Sequence, residues 1–363
     1  MNQTELLTKE QLNGYNFDAL ETATVAPTNK KQIIIDHINA NGIPAAGPDL
    51  QLFQKNGIVI KDDFASYLGN SEYYSTGSFA KLANNTPLDF QYDTTDGLKA
   101  EIEKYKDKSH FDLGTFVHEA ILEPEKWENV VCEPKANRAS HEGLDALIQF
   151  WALQCLDHET TVSATAKVDE KKTLINFLIG VSGKRAIDFK DALIVQRLHA
   201  RWMEYQKGLW AGILKSAHKE VSMYTNDFLG LPQRVRPDGI LFADQIGVNA
   251  IVSVKTTSAT SVGQYARQFV QLGYNIKEAA YQKVVSHVTG VNFDTTIMIV
   301  LSTAEPFQVG VFILADQDIR EAGLRYEAAV LNAQTCLQLG KFPGWEINAG
   351  IDDLGIIDLT ING

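Results

Sequence analysis

The sequence predicts an α/β fold, a central sheet with an antiparallel part, flanked by helices and carrying helical insertions. Three observations predict it. Between Ala139 and Ala217 apolar residues recur every three or four positions, the spacing of one helix face. From Glu220 to Phe242 the alternation shortens and turn residues fall at Asn226, Gly230 and Pro237, as in antiparallel strands. Beyond Ala250, apolar strand-like runs alternate with helical ones as far as Leu339. With 363 residues, 45% hydrophobic and 21% charged, the chain fits neither a disordered polymer nor a fibrous repeat.

Residues 1–65 mix short helical signals with turn chemistry, the clearest being KKQIIIDHINANG, closed by Gly42 and Pro44. They are expected to form an appendage. YYSTGSFAKLANNTP reads as a short extended piece, a Ser/Thr cap between Ser75 and Ser78, a helix through Leu82 and a stop at Asn84 to Pro87. In FDLGTFVHEAILEPEKW, Phe116, Val117, Ala120 and Ile121 share a helix face that ends at Pro124. The helical stretch that follows is patterned by Leu144, Leu147, Ile148 and Trp151, and again by Leu193, Val195, Leu198 and Trp202. AIVSVKTT, Ala250 to Thr257, is almost continuously apolar, as a strand covered on both faces would be. Ser261 to His287 is helical with a break near Gly273; TTIMIVLS and FQVGVFIL are strands; Asp316 to Leu339 is a last helix before Gly340 and Pro343. The expected division is an appendage over 1–65, a main domain over 66–346 and a tail over 347–363.

Several function classes drop out. The longest apolar runs, such as IMIVL, fall far short of the ~18 residues of a membrane span, and MNQTELLTKEQ has no basic stretch leading an apolar block. A soluble, intracellular protein is expected. Cys132, Cys155 and Cys336 are scattered and form no CxxC pair, which argues against a disulfide framework, a zinc site or a four-cysteine iron–sulfur cluster. A net charge of −12 argues against a broadly basic nucleic-acid surface. It does not exclude an enzyme that encloses a polyanion in a local groove and holds metal with carboxylates.

Three ionisable residues stand where packing alone gives no reason for them. Lys255 interrupts an apolar strand, so its ammonium must be paired or lie in a polar cleft. Asp238 follows Pro237 at a strand start, where an Asp is ordinarily a turn or cap residue. His118 lies midway along an apolar helix, where a lone His is ordinarily a satisfied core residue. Together they are more specific: Asp238 and Lys255 are 17 residues apart, about a hairpin's length, which sets a carboxylate beside an ammonium on neighbouring strands.

These residues sit in motifs that resemble, in order from Tyr73 to Trp345, those of the PD-(D/E)xK nuclease superfamily, and within it the exonuclease VIII (RecE-like) branch of phages and prophages. YYSTGSFAKLANNTP looks like the family's opening motif, GTFVHEAILEPEKW is similar to its G-x-x-x-H-x-x-x-L-E-P helix, and EVSMYTNDFLGLPQRVRPDGI resembles its E-x-S followed by R-x-D. IVSVKTT resembles the catalytic strand, GYNIKEAAYQ the Y-x-x-Q-x-x-x-Y helix, and GKFPGW the terminal motif. The resemblance implies a central mixed sheet flanked by helices. It implies that Asp238 binds metal with His118, that Glu220 assists metal or water, and that Lys255 orients the attacking water or stabilises the growing phosphorane charge. A Mg or Mn ion is implied as cofactor.

Two positions depart from the pattern. The acid expected two residues before the lysine is Ser253, and the place of the helix Gln is read as Glu278. A serine cannot replace an anionic ligand, so Glu278 is expected to supply the missing charge as a catalytic residue and metal ligand, as in superfamily restriction enzymes that pair S-x-K with a helix glutamate. The other reading is a decayed site that binds DNA ends or a partner without cutting. The resemblance implies a Mg-dependent exonuclease on duplex DNA ends, working 5′ to 3′ in phage-type recombination in a bacterial cytoplasm. It also implies a trimeric or tetrameric ring and a single-strand annealing protein as partner. Lys184, Arg185, Arg197, Arg201, Arg234 and Arg236 are candidate phosphate contacts, or equally solvated helix-face charges.

Overall fold

The computed structural model describes residues 29–106, 113–155 and 166–345; residues 1–28 and the expected tail from 347 lie outside the described residues. Along the chain come α1 (Lys30–Asn41), β1 (Ile58–Ile60), α2 (Phe64–Gly69), β2 (Tyr74–Ser75), α3 (Thr76–Leu82), α4 (Pro87–Thr94) and α5 (Asp96–Lys106). Then follow α6 (Leu113–Leu122), α7 (Pro124–Trp127), β3 (Val130–Cys132), α8 (His141–Gln154), α9 (Val168–Ser182), β4 (Arg185–Ile187), α10 (Phe189–Glu204) and α11 (Leu209–Ser216). The last part holds β5 (His218–Lys219), β6 (Ser222–Phe228), β7 (Leu231–Val235), β8 (Gly239–Leu241), α12 (Ala243–Ile246), β9 (Ala250–Thr257), α13 (Val262–Gln271), α14 (Tyr274–Thr289), β10 (Thr295–Ser302), β11 (Val309–Ile313) and α15 (Asp316–Leu339).

The expected mixed sheet is present. One five-stranded sheet has the order β11-β10-β9-β8-β5, with β9 at its centre. Strands β9 and β10 run parallel because α13 and α14 carry the chain back over the sheet between them, whereas β8 and β11 join antiparallel. A second sheet, β1-β6-β7-β2, holds the β6–β7 hairpin. The chain passes between the sheets twice in quick succession, from β5 to β6 and from β7 to β8.

Local chemistry sets the boundaries near the cleft. Ser75 caps α3 by accepting from the Gly77 N–H, and Thr86 with Asp89 forms a capping box ahead of Pro87. Gly273, at φ 69°, allows the turn that separates α13 from α14. Period-two alternation then divides β9 between two cores. Ile251 joins α14 and α15 residues such as Ile276, Val284 and Tyr326; Val252 and Val254 join Phe116, Val117, Val195 and Leu198 from α6 and α10. Each buried aliphatic side chain of this kind contributes roughly 1.5–3 kcal/mol. Ser253 and Lys255 share the parity of Ile251 and belong to the face that α14 covers.

Two regions differ from expectation. The stretch from Ala139 to Ala217 is not wholly helical: Arg185–Ile187 pairs in parallel with Val130–Cys132, and α8 and α9 form a satellite core around Trp151 and Leu178. Residues 50–63 fall within the expected appendage, yet Leu50 and Val59 are buried in a main core and β1 adds an edge strand to β6. No helix among the described residues is long and apolar enough to cross a membrane.

Candidate active site

The two passages between the sheets bring the carboxylates together. Glu220 occupies the step from β5 to β6 at φ 53°, a left-handed conformation unusual outside glycine. Asp238 occupies the step from β7 to β8, and the Glu220 N–H donates to its carbonyl at 3.4 Å. The β8–β9 register sets Gly239 opposite Val252, which carries Asp238 to the edge of Val254 and Lys255. There Asp238 Oδ2 accepts from the Val254 N–H at 2.6 Å and from Lys255 Nζ at 3.4 Å.

His118 enters from α6, whose other side is buried through Phe116, Val117, Ala120 and Ile121. Its Nε2 stands 3.3 Å from Asp238 Oδ1 and its Nδ1 3.7 Å from Glu220 Oε1. One donor atom from each of His118, Glu220 and Asp238 falls within 4.8 Å of the others. Among the described residues, Glu220 Oε1 is buried without a hydrogen-bond partner, the situation a bound cation would relieve. Two carboxylates and an imidazole suit Mg or Mn, so these residues fit such an ion.

Glu278 lies on the other side of Lys255. It is fully buried; Ser253 Oγ donates to its Oε2 at 2.6 Å, and Lys255 Nζ stands 3.7 Å from its Oε1. The two departures from the family pattern thus meet in one hydrogen bond, and the Lys255 ammonium bridges Glu278 and Asp238. Glu278 stands outside the three-residue cluster that could hold an ion.

The electrostatics follow from burial and pairing. Burial disfavours charge on Asp238, but Lys255, His118 and the Val254 N–H outweigh it and hold the carboxyl well below its ordinary range. Lys255 is likewise opposed by burial and held above its ordinary value by Asp238 and Glu278. Burial wins at Glu278, pushing it up against the pull of Lys255 and Ser253. It also pushes up Glu220, aided by Asp238. His118 is raised because Asp238 and Glu220 outweigh burial. Burial and then Lys255 lower Lys277, the residue before Glu278.

His118, Glu220, Asp238 and Lys255 open on one cleft of about 710 Å³, walled by α14 through Tyr274, Lys277 and Tyr281 and by α6 through Gly114, Thr115 and His118. Five of the six candidate phosphate contacts already have partners. Arg185 forms a two-pronged pair with Glu119; buried Arg234 donates to the carbonyls of Leu68 and Asn70; buried Arg236 holds Glu220 Oε2 at 2.9 Å and Asp62 Oδ1 at 2.7 Å. Lys184 donates to Gln154 and Arg197 to exposed Glu305, while Arg201 is exposed on α10. Asp62 escaped the sequence reading. It also accepts from Ser222 and Tyr224, and so anchors the guanidinium that orients Glu220. Lys277 escaped it too, although counting from Tyr274 and Tyr281 puts Lys277, not Glu278, at the Gln place of Y-x-x-Q-x-x-x-Y, which was a usable signal.

No curated protein matches the sequence. Among solved structures, the chain is similar to a candidate exonuclease from Eubacterium rectale, with 13% identity and a TM-score of 0.43 over 84% of this chain and 97% of the other. A family model described as a PDDEXK-like domain of unknown function (DUF3799) matches residues 92–347. The match agrees with the mixed sheet and its flanking helices and extends to the superfamily, not to the exonuclease VIII branch within it. The chain therefore belongs to the family of PDDEXK-like domains of unknown function.

Proposed function

We propose that this protein is a metal-dependent nuclease that hydrolyses phosphodiester bonds of DNA from duplex ends. The observation that carries the reading is the convergence of His118, Glu220 and Asp238 with Lys255 in one cleft. His118, Glu220 and Asp238 would hold a Mg or Mn ion, which when bound polarises a phosphoryl oxygen and makes water a better nucleophile. Lys255 has its proton-bearing nitrogen fixed by Asp238 on one side and Glu278 on the other. It can orient a water for attack and face the negative charge that develops on the phosphate. Glu278 restores beside Lys255 the anionic charge that Ser253 lacks, and Ser253 fixes the carboxylate by its hydroxyl. Arg236 and Asp62 hold Glu220 from behind.

The finer features rest on the resemblance of the motifs: 5′ to 3′ polarity, a ring of three or four subunits that encloses the duplex, an annealing protein as partner and a role in phage-type recombination in a bacterial cytoplasm. The test is incubation of linear and covalently closed circular duplex DNA with Mg, Mn or EDTA. Metal-dependent shortening of the linear form alone is expected. Binding of ends with no shortening under any metal would establish the decayed-site reading, to which Ser253 gives its motive.

A further inference from the structure

The cations that line the cleft differ in one respect. Lys81 is paired with Asp93 at 2.8 Å, Lys126 with Glu123 at 2.7 Å, and Lys255 with Asp238 and Glu278. Arg234 and Arg236 are held as described. Lys277 lines the same cleft; its backbone N–H donates to the Gly273 carbonyl at 3.1 Å, but among the described residues its ammonium has neither a carboxylate within 4.0 Å nor a hydrogen bond. It is half-buried, and its Nζ lies 5.4 Å from the centre of the Tyr281 ring.

Its position on α14 is specific. Tyr274, Lys277 and Tyr281 follow each other at helical spacing and form the stripe that faces the cleft, whereas Glu278, about 100° further round, goes under the sheet to Ser253. Lys255 Nζ lies 5.9 Å from the ring of Tyr274 and Lys277 Nζ lies near that of Tyr281, residues whose backbone positions are about 10 Å apart along the helix. An ammonium held against a ring without a counter-ion gains most from an arriving anion. Of the nearby carboxylates, Glu220 holds Arg236, and Asp238 and Glu278 face Lys255; Glu101, which also lines the cleft and attracts Lys277, lies beyond 4.0 Å of its ammonium.

We propose that Lys277 is a substrate-binding residue that takes a non-bridging oxygen of a DNA phosphate flanking the bond attacked at Lys255. The proposal rests on the nuclease reading above and adds a second phosphate position to it. That position would fix how far the strand advances past the Lys255 centre.

The test measures binding of a short duplex in Ca²⁺, with the DNA verified intact on a gel, for the unaltered protein, Lys277→Met and Lys277→Arg. Lys277→Met should weaken binding roughly tenfold and reduce the slope of log Kd against log salt by about one, while Lys277→Arg stays within about threefold of the unaltered protein. With Mg, Lys277→Met should raise KM more than it lowers kcat. In the unaltered protein, a scan of neutral methylphosphonates should find one position beside the cleaved bond that weakens binding, and that position should lose its effect in Lys277→Met. Unchanged Kd and slope in Lys277→Met would overturn the proposal and leave the nuclease reading standing. If Lys277→Met does not fold, the scan on the unaltered protein decides, and the absence of any sensitive flanking phosphate overturns the proposal. Failure of the unaltered protein to bind DNA at all would overturn both.

Discussion

Two buried glutamates flank the Asp238–Lys255 pair, and they differ in what each leaves open. Glu220 gives one oxygen to Arg236 and turns the other, without a hydrogen bond among the described residues, towards His118. Glu278 gives one oxygen to Ser253 and turns the other, also without a hydrogen bond, towards the Lys255 ammonium at 3.7 Å. The first arrangement leaves a place for a cation; the second already contains one. Equal residue types at similar burial are thereby suited to separate tasks, Glu220 to ion binding and Glu278 to holding the lysine charged and in place.

The largest effect should come from the lysine common to both sides. Lys255→Ala is expected to lower turnover by roughly 10³-fold or more, since it removes a cation aimed at developing charge. DNA affinity should change less than tenfold because many phosphate contacts set it. Turnover measured beside a binding isotherm at fixed salt separates the two, and equal losses would make Lys255 a mere phosphate contact.

Next in size is the helix side. Glu278→Gln keeps the volume but removes the charge, and turnover at saturating metal should fall about 10²-fold. Adding Ser253→Asp to that variant should restore part of the rate, because a strand carboxylate would again stand two residues before the lysine. The changes should be strongly non-additive. Full activity of Glu278→Gln in a steady-state assay would erase the distinction between the two glutamates.

The ion side should respond differently. His118→Ala and Glu220→Gln are expected to raise the metal concentration for half-maximal rate by roughly 10- to 100-fold, with much of the rate recovered at high metal. A metal titration of the rate checks this, and unchanged metal dependence in His118→Ala would return His118 to the role of a core residue. The smallest effect belongs to Asp62→Asn, which loosens Arg236 behind Glu220. It should cost about 1–3 kcal/mol of stability and shift metal dependence in the same direction as Glu220→Gln. Denaturant unfolding with a metal titration reads both.

How much of this was legible depends on the distance over which each contact acts. Asp238 and Lys255 could be paired from sequence because a hairpin-length spacing and a period of two determine which residues of adjacent strands meet. The helix break at Gly273 and the end of α15 at Gly340 were legible as local backbone chemistry. Asp62 was not, because its bond to Arg236 spans 174 residues and nothing near it in sequence announces the partner. The same reason hid β3 and β4, short strands that exist only by pairing with each other. Arg185, Arg234 and Arg236 read as candidate phosphate contacts for the converse reason: a residue's charge is visible in the sequence, but whether a neighbour already holds it is not.

The division of labour between the two glutamates is tested most directly by calorimetric titration of Mn into the DNA-free protein, the Glu220→Gln variant and the Glu278→Gln variant. The expected result is one ion on the unaltered protein, an affinity at least about tenfold weaker in Glu220→Gln, and an affinity within about threefold of the unaltered protein in Glu278→Gln. An ion lost on Glu278→Gln and retained on Glu220→Gln would contradict the account, and would make Glu278 the ligand and Glu220 the support.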